Sequence, residues 1–227
     1  MGGRGSSFEE SNEKPLGGNS NGSGEDPITV QPFDINPKDF RATVGEKGKP
    51  LDIKTAIAGA NPFYRGGAEG NFTENCQRAV IAYELRRRGF DVMALPTFKN
   101  DELPGGNRWT GAFMHGKLVK VGASTPMATQ NNLEKEMKAW GKGSRAIVSI
   151  PGHVFNAENV NGVIRYVDAQ TNTVYNSHNV FSRLGKDARY VEIMRTDNLR
   201  ISERARKSVT PVTDITKMIV NRRKGGK

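Results

Sequence analysis

The chain has 227 residues, 35% of them hydrophobic, with a single cysteine and a net charge of +10 from 34 basic and 24 acidic side chains. That length suits one or two domains, and the apolar content supports a core drawn from part of the chain. No apolar run approaches the roughly 18 residues of a membrane helix and no secretory h-region opens the chain, so neither is expected. One cysteine excludes a disulfide framework and a cysteine-based zinc module.

Residues 1–27 hold seven glycines with Ser, Asn and Glu, and only Phe8 and Leu16 as sizeable hydrophobes, which predicts a disordered tail. Met1-Gly2-Gly3-Arg4-Gly5-Ser6 fits an N-myristoylation pattern, but in so Gly- and Ser-rich a stretch the match carries no claim. Residues 28–50 read as weakly structured, and residues 51–60 as a short helix capped by Asp52. The clearest helix is expected over Asn75–Arg88, with Thr73 as its N-cap and Gly89 as its stop. Cys76, Ala79, Val80 and Tyr83 form one apolar stripe, with Arg78, Arg86 and Arg88 largely off it.

Phe90–Leu95 alternates as a strand and stops at Pro96. Residues 97–124 read as loop with short strands. A second helix is expected over Pro126–Trp140, with Leu133, Met137 and Trp140 as its stripe and a Glu134–Lys138 pair on its surface. Strands follow at Arg145–Ile150, His153–Val160, Val163–Ala169 and Arg189–Arg195. Asn161-Gly162 marks a hairpin between the second and third. Helices followed by antiparallel strands make an α+β plan.

Three features converge on Cys76. It lies in the first turn of a helix, where unpaired N–H groups and the positive dipole end favour a thiolate. His153 begins a strand, and Asp168 follows on the return strand of the same hairpin. A two-residue turn at 161–162 places Val160 opposite Val163 and Phe155 opposite Asp168. His153, Phe155, Asp168 and Gln170 then share one face, with His153 and Asp168 as diagonal neighbours. This is the logic of nucleophile, base and orienting acid: the imidazole takes the thiol proton and the carboxylate sets its tautomer. The oxyanion is expected to meet the Cys76 N–H and a nearby amide, Asn71 or Asn75. His115 and His178 are expected to face solvent. The three histidines are too scattered for a metal site, and the chemistry calls for no cofactor.

Asn61-Pro62, Asn75-Cys76-Gln77-Arg78, Tyr83-Glu84-Leu85-Arg86-Arg87-Arg88-Gly89, Gly143-Ser144-Arg145-Ala146-Ile147-Val148, Gly152-His153-Val154-Phe155-Asn156 and Val167-Asp168-Ala169-Gln170 occur in this order. Over about residues 55–195 the chain thereby resembles the papain-fold toxin domain family of the glutamine-deamidase type. The resemblance implies a papain-like fold, a nucleophile-bearing helix packed on an antiparallel sheet. It gives Cys76, His153 and Asp168 the triad roles and Gln170 a recurrent position beside the acid. Family members occur as effector domains of bacterial toxins and in phage virion-associated proteins. Ala79 stands where a second cysteine is common, so Cys76 alone can be the nucleophile.

The expected organisation is therefore a disordered tail (1–27), a papain-like domain (28–200) and a basic tail (201–227). From Ile201 to Lys227 eight basic residues, among them Arg204, Arg206, Lys207, Arg222, Arg223 and Lys224, face only Glu203 and Asp214. Two functions follow. One is a cysteine amidohydrolase acting on protein glutamine side chains, or less directly on peptide or isopeptide bonds. The other is a phage structural or injected protein whose basic tail binds DNA or virion proteins. Without a leader or a membrane span, the expected location is the bacterial cytoplasm or a phage virion.

Overall fold

The computed structural model describes residues 45–64, 72–97, 109–175 and 180–212. The expected N-terminal tail, Asn71, His178 and the basic residues from Lys217 onward lie outside these residues.

Three α-helices are found among the described residues. Helix α1 (Ile53–Ala60) starts where Asp52 accepts from the Thr55 N–H at 2.9 Å. Helix α2 (Cys76–Arg87) has Asn75, not Thr73, at its N-cap. It ends before Gly89, whose φ of +101° and close approach to the Gly48 carbonyl exclude a side chain. Helix α3 (Pro126–Ala139) is capped by Thr125 and carries the Glu134–Lys138 ion pair at 3.1 Å.

Six strands form one antiparallel sheet in the order β2 (Val119–Lys120), β7 (Glu192–Arg195), β3 (Arg145–Ile150), β4 (His153–Val160), β5 (Val163–Asp168), β6 (Thr173–Tyr175). The β4–β5 register runs from Val160↔Val163 to Asn156↔Val167, as the two-residue turn requires. Asn161 and Gly162 both take positive φ, 54° and 95°, the backbone of a tight primed turn. Alternation along the strands divides two cores. Ile147, Val154 and Val167 join α1 and α2 on one face, whereas Val148, Phe155 and Tyr166 join Leu133 and Met137 of α3 on the other. The result is an α+β fold with both sheet faces covered.

Four further expectations change. Helix α2 is buried nearly all round, including Arg78, Glu84 and Arg86, because sheet, α1 and β1 (Val92–Ala94) surround it. Its charges are paired inside: Glu84 with Arg88 at 2.7 Å and Arg145 at 2.8 Å, and Arg87 with Glu158 at 2.6 Å. The strand expected over Phe90–Leu95 shortens to β1 and is buried throughout instead of alternating. The third change is at the expected basic tail, whose first part is built into the fold. Ile201 bridges to Phe113, a 3₁₀ turn covers Glu203–Lys207, and β8 (Val209–Pro211) pairs with β1. Burying Ala205, Val209 and Thr210 outweighs the solvation that a charge count alone suggests. A 3₁₀ segment, Ser182–Tyr190, also replaces the start of the strand expected from Arg189.

Candidate active site

Cys76 opens α2 and is partly buried. His153 opens β4 and is buried, as is Asp168 at the end of β5. The His153 Nε2 lies 3.0 Å from Asp168 Oδ2. The other carboxylate oxygen accepts from the backbone N–H of Gln170 at 3.0 Å and of Thr171 at 3.4 Å. The turn after β5 thus holds the acid while the acid holds the imidazole. Cys76 is the third group, a hydrogen-bond partner of that imidazole.

Sheet alternation makes this meeting less obvious than it looks. Asn156 donates to the Val80 carbonyl and Glu158 accepts from Tyr83, so these β4 side chains face α2. His153 has the opposite parity and stacks on Phe155, a member of the core under α3. Its position as the first residue of the strand lets it reach Cys76 from that face.

Burial draws the His153 pKa down, but the charge and hydrogen bond of Asp168, with a further contribution from Cys76, outweigh it and leave the imidazole pushed up to about 10. The ring is therefore cationic at neutral pH, paired with a buried carboxylate.

A network of amides braces the two halves of the site. Gln170 Nε2 donates to the Thr73 carbonyl at 2.5 Å, just before α2. Asn61, the C-cap of α1, donates through Nδ2 to the carbonyls of Phe72 at 3.0 Å and Gln170 at 2.8 Å. Its Oδ1 accepts from Asn75 Nδ2 at 3.0 Å, and the same Asn75 nitrogen donates to the Leu95 carbonyl at 3.1 Å. Both Asn75 N–H bonds are thereby made within the fold, to Asn61 and Leu95. One Gln170 N–H is likewise committed to the loop before α2. The Cys76 N–H, at the first helical position where no intrahelical acceptor exists, keeps the oxyanion role open to it.

In the sequence Asn61 stands out only through the resemblance, since its bracing role rests on contacts with Phe72, Asn75 and Gln170. A buried-helix C-cap position directly after Ala60 was the available signal. Of the expected nucleic-acid-binding residues, Arg204, Arg206 and Lys207 lie in the 3₁₀ turn against the fold. There the Lys207 carbonyl accepts from Arg78. His115 is exposed, in line with its expected place in solvent. Among the described residues no group of three or more His, Cys, Asp or Glu side chains is placed to hold a metal ion, and no helix is long and apolar enough to cross a membrane.

A cysteine at a helix start, set against an antiparallel sheet that carries a His–Asp pair, is the arrangement of a papain-like fold. Residues 74–173 match the family model described as papain fold toxin 1, glutamine deamidase. The matched segment contains Cys76, His153, Asp168 and Gln170; Asn61 lies outside it. No curated protein and no solved structure matches the chain.

Proposed function

We propose that the protein is a cysteine amidohydrolase that converts glutamine side chains of a protein substrate to glutamate, with Cys76 as nucleophile, His153 as proton carrier and Asp168 as its orienting acid. The observation that carries the reading is the His153–Asp168 contact at 3.0 Å, with Cys76 as a further hydrogen-bond partner of the imidazole.

In the first half-reaction the Cys76 sulfur, its proton held by His153, attacks the side-chain carbonyl carbon. Charge moves to the carbonyl oxygen, which meets the Cys76 N–H. Collapse of this intermediate breaks the C–N bond as the imidazolium gives its proton to the leaving nitrogen. Ammonia departs and a thioester remains. In the second half-reaction neutral His153 takes a proton from water, the resulting oxygen attacks the thioester, and the thiol leaves as its conjugate base. The proton taken from water stays on His153, which re-forms the ion pair with the thiolate, and the new carboxylic acid gives its own proton to solvent, leaving a glutamate side chain. Asp168 stabilises the cationic ring at both stages.

A toxin or effector role suits the family's description. Ammonia release from glutamine-rich denatured casein, compared between the wild type and Cys76→Ala, tests the proposal. The wild type should release ammonia and the variant none; equal release by both would overturn it.

A further inference from the structure

The His153–Asp168 pair is set within one hairpin, by the β4–β5 register and the turn amides that hold the acid. Cys76 belongs to a different unit, α2, and the hairpin register leaves its distance from the imidazole open. A link between the two units runs through Asn61, fully buried at the C-cap of α1. Its Nδ2 donates to the carbonyl of Phe72, ahead of α2, at 3.0 Å and to the carbonyl of Gln170, in the turn after Asp168, at 2.8 Å. Both acceptors are main-chain carbonyls, so only the nitrogen can face them. The Asn61 Oδ1 must then turn to the residue before Cys76, where it accepts from Asn75 Nδ2 at 3.0 Å. This fixes the Asn75 carboxamide in turn and leaves its Oδ1 buried without a hydrogen-bond partner. An orientation that strands an acceptor is held only by bonds that outweigh it.

Resting on the amidohydrolase reading above, we propose that Asn61 is a positioning residue that sets Cys76 against the His153–Asp168 pair. It comes from a third segment, ahead of the matched residues 74–173, and holds both halves of the site. The nucleophile side is held through Phe72 and Asn75, and the acid side through Gln170. Without Asn61 the hairpin still keeps His153 and Asp168 together, and α2 still packs on the sheet through Glu158 and Arg145. What loosens is the approach of sulfur to imidazole, and misplacement of reacting groups by about 1 Å is enough to cost about 100-fold in rate.

A second asparagine supplies the control. Asn159, toward the end of β4 away from His153, is buried as Asn61 is. Its Nδ2 donates to the carbonyls of Met137 at 3.1 Å and Gly141 at 3.0 Å, and its Oδ1 accepts from the Gly162 N–H at 2.8 Å. Asn61→Ala and Asn159→Ala thus each remove three bonds of one buried carboxamide, the first beside the site and the second away from it. Three readings are taken on each variant and on the wild type: the thermal midpoint, the rate of Cys76 alkylation by iodoacetamide at pH 6.5, and kcat and KM for ammonia release from denatured casein. Alkylation forms a C–S bond, expels iodide and leaves the thiol proton on His153. A thiol with no proton acceptor beside it is only about 1% ionised at that pH, so the rate reports the contact between sulfur and imidazole.

Both variants should melt below the wild type. Asn61→Ala should alkylate about tenfold or more slowly and lose about 10–100-fold in kcat with KM within about threefold. Asn159→Ala should stay within about twofold of the wild type in alkylation rate, kcat and KM. Alkylation of Asn61→Ala within twofold of the wild-type rate would overturn the proposal. So would equal slowing in the two variants, which would trace the loss to stability alone. A rise in KM at unchanged kcat would place Asn61 in substrate binding and overturn it as well. Should Asn61→Ala fail to fold, Asn61→Ser, which keeps one donor, is compared with Asn159→Ser on the same readings and against the same outcomes. Alkylation needs no amide substrate. Absence of ammonia release by the wild type would therefore sink the deamidase reading and leave the alkylation comparison to decide the positioning role.

Discussion

Asp168 divides its carboxylate between two tasks, giving Oδ2 to His153 at 3.0 Å and Oδ1 to the backbone amides of Gln170 and Thr171. The acid is held by the turn that it opens, so its orientation does not depend on the imidazole. Asp168→Asn should therefore keep the fold and lower turnover by about 10²–10⁴-fold, through loss of the carboxylate that sets and stabilises the cationic ring. Circular dichroism with steady-state ammonia release checks both parts. Turnover within a few-fold of wild type would remove Asp168 from the mechanism.

The His153–Asp168 pair also makes stability depend on pH. The folded pKa of His153 is raised from 6.5 to about 10, against burial, by Asp168 and Cys76. Its contribution is therefore complete below about 6.5 and fades as pH rises through about 10. The stability advantage of wild type over His153→Gln in urea should shrink across that window. An advantage that stays constant from pH 6 to pH 10 would contradict the assignment.

Helix α2 is locked to the sheet by Arg87, whose Nε and Nη2 meet Glu158 at 2.6 and 2.8 Å while Tyr83 donates to the same carboxylate at 2.7 Å. Glu158→Ala leaves a mostly buried guanidinium and a buried phenol without their acceptor. It should cost about 3–5 kcal/mol in urea unfolding, the range for breaking one side of a buried pair. A loss below about 1 kcal/mol would show the pair to be replaceable by water.

Residues at the end of the described chain support the fold as well. Val209 is fully buried in β8, paired with Ala94 of β1. Val209→Asp should destabilise the protein by several kcal/mol, on the order of the cost of an unpaired buried charge. A truncation after residue 212 retains β8 and should melt close to wild type, whereas one after residue 200 should not. Equal melting of the two truncations would contradict the β1–β8 pairing.

Much of this architecture could be read from residue patterns. The hairpin register followed from Asn161-Gly162 and the period of two, and it brought His153 and Asp168 together before any coordinates. The helix limits followed from Asp52, Gly89 and Pro126. What stayed hidden depends on contacts between distant segments. Arg78 and Arg86 were expected off the apolar stripe; their burial rests on bonds to the Lys207 carbonyl and to α1, which are not local properties. β8 was obscured by the surrounding Arg and Lys, although its Val-Thr-Pro core needed only a partner strand. The bonds of Asn75 are of the same kind: only the positions of Asn61 and Leu95, distant in the chain, show where its protons go.

The central claim is tested most directly by peptide mapping of casein after incubation with the wild type and with Cys76→Ser. The account predicts conversion of glutamine to glutamate at specific residues, in step with ammonia release, with an intact casein backbone and no conversion by the variant. Backbone cleavage without glutamine conversion, or conversion that persists in Cys76→Ser, would contradict it.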